Sequence, residues 1–470
     1  MTSKSAGMGG WLARVAEIRP GEGEAVALSF LYIFLLMTGY YILKPVRDAL
    51  GLELGASKLP SLFLAGMVVM YLANVVYGWL VNRWPRHVFI GMVYRFFAVN
   101  LVLFAIAFRA ELSSDMKRAL IAGYFQWVSV FNLFVVAIFW SFMNDVWDVG
   151  QGKRLFGLIG AGAITGALTG SFVTRLLVAL FRAEDLLVVS AVMLEACVQL
   201  MQRVHRLRGA REPAADPASE RPQPPPARPA ASGASGLALL ARSRYLRLLA
   251  LFTFLLTSSN TFVYFQINAM VEREVDGKEA RTAYFAGQNT AVNVLGLLVQ
   301  VVVTGQLLTR CDIRVGLTLV PLVMLAGAVC FLTSPGLAVI ATAYVVATAL
   351  HYSVNRASRE VLYTPTAPEE KYKAKNFIDT LVYRVGDATS ASIVEFLKPL
   401  LRWAGAAVAP AALTGLAASS TGKGELDAAL IAGIGLLTIA FALARIAVAW
   451  FLGREFNVTT RRPREDAGAA

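Results

Sequence analysis

The chain has 470 residues, 57% apolar and 16% charged, with a net charge of +13. Soluble domains run at about 45–50% apolar and about 25% charged, so the composition excludes a soluble enzyme with a membrane tag and a largely disordered chain. The apolar runs are continuous and about 20 residues long, a pattern of membrane-spanning helices rather than of the alternating strands of an outer-membrane barrel.

In chain order, residues 1–24 form an N-terminal tail without the apolar core and cleavage site of a secretory signal. Six spans are predicted at roughly 26–43, 59–81, 88–108, 119–143, 155–181 and 185–201. The segment Arg203–Gly236, rich in Pro, Ala, Arg and Ser, reads as a solvated linker. Six more spans follow at roughly 246–268, 284–309, 313–333, 336–354, 376–401 and 427–452. Residues 399–419 are weakly apolar and read as a long loop rather than a thirteenth span. The expected architecture is all-α: a polytopic membrane protein with twelve transmembrane helices in two pseudo-symmetric six-helix bundles. The bundles are expected at 25–202 and 245–453, with a linker at 203–244 and a C-terminal tail at 454–470.

The basic excess follows the loops. With both termini and the linker in the cytoplasm, cytoplasmic segments hold 27 of the 44 Lys and Arg residues and the opposite side 13. This bias sets orientation in a bacterial inner (plasma) membrane and makes nucleic acid an unneeded explanation of the charge. Cys197, Cys311 and Cys330 form no CxxC, and His87, His205 and His351 no HExxH, so neither a metal site nor a cofactor is expected.

The loop after the second span, Gly78-Trp-Leu80-Val-Asn82-Arg83, is echoed after the eighth by Gly305-Gln-Leu307-Leu-Thr309-Arg310. Two parallel halves with one loop motif repeated resemble the layout of major-facilitator transporters. Gly78–His87 is similar to their G-x-L-x-D-R-x-G-R loop, with Asn82 and Pro85 in place of the acid and the second glycine. Arg83, Arg86 and Arg310 are accordingly expected in gate loops.

A charge at mid-bilayer costs from about 2.5 kcal/mol upward, so ionisable residues in spans are functional candidates. The first cluster is Lys44, Arg47 and Asp48, after Tyr40 and Tyr41. Their i, i+3, i+4 spacing puts them on one helical face, although Pro45 favours a break. They read either as an anion clamp at a helix end or as interfacial charges snorkelling beside tyrosines. The second cluster runs from His351 to Asp387. Lys375, Asp379, Tyr383 and Asp387, four apart, are expected to line one stripe, with Arg384 paired to Asp387. That stripe faces either a water-filled cavity or another helix in a ladder of ion pairs. Arg356, Arg359 and Glu360 sit a turn apart, as substrate contacts or as positive-inside anchors. Arg95 and Glu195 are single intramembrane candidates; Arg175 and Arg445 also lie within spans. The glycine run from Gly157 to Gly170 lacks a phosphate-loop context and reads as close helix packing.

Three stretches carry a family resemblance. Ser358–Asp379 reads SREVLYTPTAPEEKYKAKNFID and closely resembles a signature of the bacterial and plastid ATP/ADP translocases, the nucleotide transporter (TLC) family. Its charged and aromatic positions are Arg359, Glu360, Tyr363, Lys373, Lys375 and Asp379. YYILKPVRDAL (Tyr40–Leu50) and FWSFMND (Phe139–Asp145) resemble two further family motifs. The resemblance implies a twelve-helix antiporter exchanging nucleotides or another phosphorylated anion. Family members carry functional glutamates in the fourth or fifth and the eighth helices. Here spans 119–143 and 246–268 hold no acid, with Gln126, Asn132, Phe265, Gln266 and Asn268 in those regions. That departure suits a relative whose substrate differs.

The expected anion contacts are Lys44, Arg47, Arg95, Arg356, Arg359, Lys375, Tyr383 and Arg384. Coupling or gating is expected of Asp48, Asp379, Asp387, Glu195 and Glu360 with the loop arginines Arg83, Arg86 and Arg310. The expected partners are a small anion and the lipid bilayer, and the expected state is a monomer. A membrane-embedded enzyme and a non-transporting receptor are the competing classes; scattered histidines and no metal motif speak against the first.

Overall fold

A computed structural model describes residues 18–19, 21–81, 83, 86–209, 233–366, 374–375, 377–408 and 428–468. Among the described residues the structure is helical, without strands. Among these residues, ten helices are long and apolar enough to cross a membrane. The protein is an integral membrane protein. Exposed side chains such as Tyr71, Phe96, Val192, Val301 and Trp403 form an apolar exterior that suits lipid.

The chain divides into two compact units. The first comprises Met1–Leu54, Val68–Glu220 and Gly277–Thr290; the second comprises Gly55–Met67, Arg221–Asp276 and Ala291–Ala470.

The helices are α1 (Gly23–Gly51), α2 (Leu59–Val81), α3 (Arg86–Arg109), α4 (Ser114–Val146), α5 (Val149–Leu177) and α6 (Leu186–Gly209). A short α7 (Gly233–Arg242) precedes α8 (Arg244–Glu274). Next come α9 (Lys278–Val299), a π turn (Gln300–Thr304) and α10 (Gly305–Arg310), then α11 (Ile313–Thr333). α12 (Leu337–Leu350) passes through a second π turn (His351–Asn355) into α13 (Arg356–Leu362). A third π turn (Ile378–Val382) leads into α14 (Tyr383–Phe396), followed by α15 (Lys398–Ala406) and α16 (Ala428–Gly468).

In the first unit α1 packs on α5 and α6. The contact with α5 is a backbone-to-backbone one. A Cβ added at Gly162, Gly166 or Gly170 would sit 2.7, 2.3 or 2.5 Å from the carbonyl oxygens of Phe30, Phe34 and Thr38. Only small residues at this spacing let two membrane helices approach so closely. Thr38 then donates to the Gly166 carbonyl at 3.2 Å. The FWSFMND stretch serves the core. Phe139 and Phe142 are buried and stand edge-on to Tyr32, whose hydroxyl donates to that of Tyr94 at 2.9 Å.

Two expectations are corrected. Pro45 does not break α1, which runs on to Gly51. Proline removes an N–H and frees the carbonyl four residues back. Here that carbonyl, of Tyr41, accepts from the Thr174 hydroxyl at 3.5 Å, as neighbouring Thr side chains do for proline-containing membrane helices. Second, the start of the supposed loop 399–419 is helical. Pro399 sits in the first turn of α15, and Gly405 and Gly433 let α15 lie directly on α16; residues 409–427 lie outside the described residues. The expected C-terminal tail is helical as far as Gly468, the end of α16. Most of the expected linker, 210–232, is also outside the described residues, although α6 extends to Gly209 and α7 opens at Gly233.

Candidate functional site

In the first unit the continuity of α1 past Pro45 places Lys44, Arg47 and Asp48 on one helical face, inside the helix and not at its end. Lys44 is half-buried; its Nζ donates to Asn289 Oδ1 at 2.8 Å and lies 5.5 Å from the Tyr41 ring. Arg47 donates through Nε and Nη2 to one oxygen of Asp48, at 3.1 and 2.7 Å, and lies 4.8 Å over the Phe125 ring. Asp48 is 3% exposed. The pair is thus held by packing and charge together, and Arg47 covers the acid that compensates it. The hydrogen-bond partner of Lys44, Asn289, is neutral.

Arg95 and Glu195 meet as well, through two hydrogen bonds of 3.0 and 2.9 Å, with Gln199 donating to the same carboxylate at 2.7 Å. Their side chains remain 50% and 43% exposed, between the exposed apolar residues Met92, Phe96 and Val192. They bridge α3 to α6 on an outer face and do not join the Lys44 cluster.

In the second unit the charges of α13 pair across to the segment leading into α14. Arg359 binds Asp379, and Lys375 donates to Glu360 at 2.6 Å. Lys375 also lies 5.6 Å from the Tyr363 ring. Burial raises the Tyr363 phenol above its ordinary pKa, with the Asp379 charge adding to it. Asp387 accepts from the Thr261 hydroxyl at 2.8 Å, and Arg384 reaches only 4.0 Å from it.

The expected single stripe is therefore divided. Lys375 and Asp379 engage α13, whereas Asp387 engages α8. The π turn at Ile378–Val382 is the reason: its wider turn shifts the residues after it around the helix. Arg356 is exposed, Tyr383 half-buried and Arg384 43% exposed. Arg83 lies exposed in a turn and Arg310 exposed at the end of α10. Arg86 opens α3, and its side chain lies outside the described residues.

Sequence reasoning missed Thr261, Ser129 and Asn289 as partners of the charged residues. Their only signal is polarity in an apolar helix. Gln266, in a region where acids are expected, is tied instead to α16: its Nε2 donates to the Ile431 carbonyl and its Oε1 accepts from Thr438, both at 3.3 Å. Among the described residues no group of three His, Cys, Asp or Glu could hold a metal.

A family model described as TLC ATP/ADP transporter matches residues 126–338. "ADP,ATP carrier protein 2" of Chlamydia pneumoniae is 23% identical over 448 residues, covering 78% of this chain and 81% of that protein. Both bear out the resemblance to that family; of the three stretches, Phe139–Asp145 lies within the matched residues. Among solved structures, a bacterial homologue of the iron transporter ferroportin in an inward-facing state superposes with a TM-score of 0.62 at 12% identity, covering 92% of this chain and 98% of that one. A bacterial homologue of the human lysosomal transporter Spinster gives 0.60 at 13%, covering 94% and 99%. The nucleoside transporter NupG gives 0.57 at 11%, covering 93% and 99%. These structures share the fold, which is the expected major-facilitator one.

Proposed function

We propose that this chain, similar in sequence to ATP/ADP carriers and in fold to major-facilitator transporters, is a secondary transporter for a nucleotide or another phosphorylated anion. It works by alternating access and in exchange, across a bacterial inner membrane with both termini in the cytoplasm, as a monomer. It is a carrier and not an enzyme. The observation that carries the reading is the doubled ion pair in the Ser358–Asp379 stretch, Arg359 with Asp379 and Lys375 with Glu360. Each cation is held by an acid that an incoming phosphate can replace, since guanidinium and ammonium groups bind phosphate oxygens through the same charge-assisted hydrogen bonds. Lys44 and Arg47 supply a second cationic pair. Arg356, Tyr383 and Arg384 supply further contacts, whereas Arg95 and Glu195, paired on an outer face, bridge two helices. Asp48, Arg83, Arg86 and Arg310 act in gating.

Asp387 favours one further feature. An intramembrane carboxyl bonded to a hydroxyl, with its nearest cation 4.0 Å away, suits a proton-coupled variant of the same transport. The test for substrate is a thermal-shift screen of the purified protein against nucleotides, sugar phosphates and organic anions. A phosphorylated hit whose effect weakens with salt supports the reading; stabilisation by neutral solutes alone contradicts it.

A further inference from the structure

Arg445 on α16 is 0% exposed, one of the largest fully buried side chains in the protein. Its only hydrogen bond among the described residues runs from Nη2 to Asn355 Oδ1, at 3.2 Å. Its Cζ lies 5.0 Å from the centre of the Phe252 ring. Nε and Nη1 are buried without a partner. No carboxylate pairs with it among the described residues, unlike Arg47, Arg95 or Arg359. Arg359, itself bound to Asp379, adds like charge from the same unit. The ring of His351 lies in the field of Arg445, Arg359 and Arg356 together. A buried guanidinium with two unmet donors, a neutral amide for a partner and like charge beside it is strongly unfavourable unless an anion compensates it.

Asn355 closes the π turn at His351–Asn355, and Phe252 belongs to α8. Three helices of the second unit thus converge on the guanidinium. π turns recur at functional sites because they widen the helix and free backbone groups.

We propose that Arg445, backed by Arg359 and aligned by Asn355 and Phe252, forms an oxyanion-binding subsite within the second unit that takes a phosphate group. The subsite deepens the proposed transport of a phosphorylated anion, resting on that reading only for the identity of the solute. Its binding is readable with inorganic phosphate alone.

The experiment measures the unfolding midpoint of the purified full-length protein against sodium phosphate, with sodium chloride at matched ionic strength as reference. The subsite predicts saturable stabilisation by phosphate and none by chloride. In Arg445→Gln the phosphate response disappears, while the midpoint in chloride stays equal to or above that of the wild type, because an uncompensated charge has been removed. Should Arg445→Gln not fold, Arg445→Lys keeps the charge and loses the planar donors, and its phosphate affinity falls at least tenfold. The proposal is overturned by no phosphate response in the wild type, by an equal response to chloride, or by an unchanged response in either variant. Transport assays separate the two claims. Phosphorylated solutes carried equally by wild type and Arg445→Gln sink the subsite alone. An Arg445-dependent phosphate response without transport of any phosphorylated solute sinks the transport reading alone.

Discussion

The ammonium of Lys44 on α1 donates to the side-chain oxygen of Asn289 on α9 at 2.8 Å, joining residues 245 positions apart. Asn289 is itself fixed, since its Nδ2 donates to the Phe285 carbonyl at 2.9 Å. The amide therefore presents its oxygen to the lysine in one orientation. Asn289→Leu keeps the branched outline and removes the acceptor. Losing a hydrogen bond to a charged group costs about 1.5–3 kcal/mol. Thermal unfolding in detergent is expected to show that loss for Asn289→Leu and a smaller one for Asn289→Leu combined with Lys44→Met. Strict additivity of the two substitutions would mean that the contact carries no coupling.

The α1–α5 contact makes a sharper claim about glycines. A Cβ at Gly166 would lie 2.3 Å from the Phe34 carbonyl oxygen, whereas one at Gly157 meets nothing within 4 Å. Gly166→Ala forces two helices apart and is expected to cost about 1–3 kcal/mol, the usual range for overpacking. Gly157→Ala is expected to be neutral or slightly stabilising, because alanine is the better helix former. Both are read from the same unfolding curve. Equal tolerance at the two positions would contradict the packing described.

Glu22, at the start of α1, gives a pH prediction. Burial pushes its carboxyl up, but hydrogen bonds from Arg154, the Arg19 N–H and Gln151, with the Arg154 charge, outweigh that and hold it below its ordinary value. A carboxyl lowered in the folded state contributes stability above its unfolded pKa and loses it as pH falls through the folded one. Wild type is thus expected to unfold at a higher temperature than Glu22→Gln at pH 7. The gap should close as the pH drops below about 4, the ordinary glutamate range. A gap that stays constant from pH 7 to pH 3 would remove Arg154 as its cause.

Much of this was legible in the sequence, and for identifiable reasons. Lengths of apolar run placed the helices, because a bilayer of fixed thickness demands about 20 residues each. The glycines at 162, 166 and 170 were readable as helix packing because their spacing repeats with the helix. The Ser358–Asp379 charges were readable because each is expensive in a bilayer. What was hidden depended on neighbours distant in sequence. Pro45 suggests a break until Thr174 supplies its hydroxyl to the Tyr41 carbonyl. The stripe from Lys375 to Asp387 assumes regular helix, and no local residue announces the π turn at Ile378–Val382. Arg445 reads as one intramembrane arginine among several until its burial and lack of an acid are seen.

Neutralising the doubled ion pair separates its two halves. Arg359→Gln strips Asp379 of its cation, and Lys375→Gln strips Glu360. The Lys375–Glu360 pair is partly exposed, and its structural worth is at most about 1 kcal/mol. Arg359 is 13% exposed, so Arg359→Gln leaves a partly buried acid unpaired and costs more. The unfolding midpoint is therefore expected to change little in Lys375→Gln and to drop, without loss of folding, in Arg359→Gln. A collapse of either protein would make these pairs structural rather than substrate contacts.

The most direct test is exchange by the purified protein in proteoliposomes, loaded with ADP or left empty, and offered labelled ATP or other phosphorylated anions. The account predicts saturable uptake of at least one phosphorylated anion, stimulated by the same class of anion inside. It predicts a loss of at least about tenfold in Arg359→Gln and Lys375→Gln, one charge-assisted contact each. No uptake of any phosphorylated anion, or uptake undiminished in both variants, would contradict it.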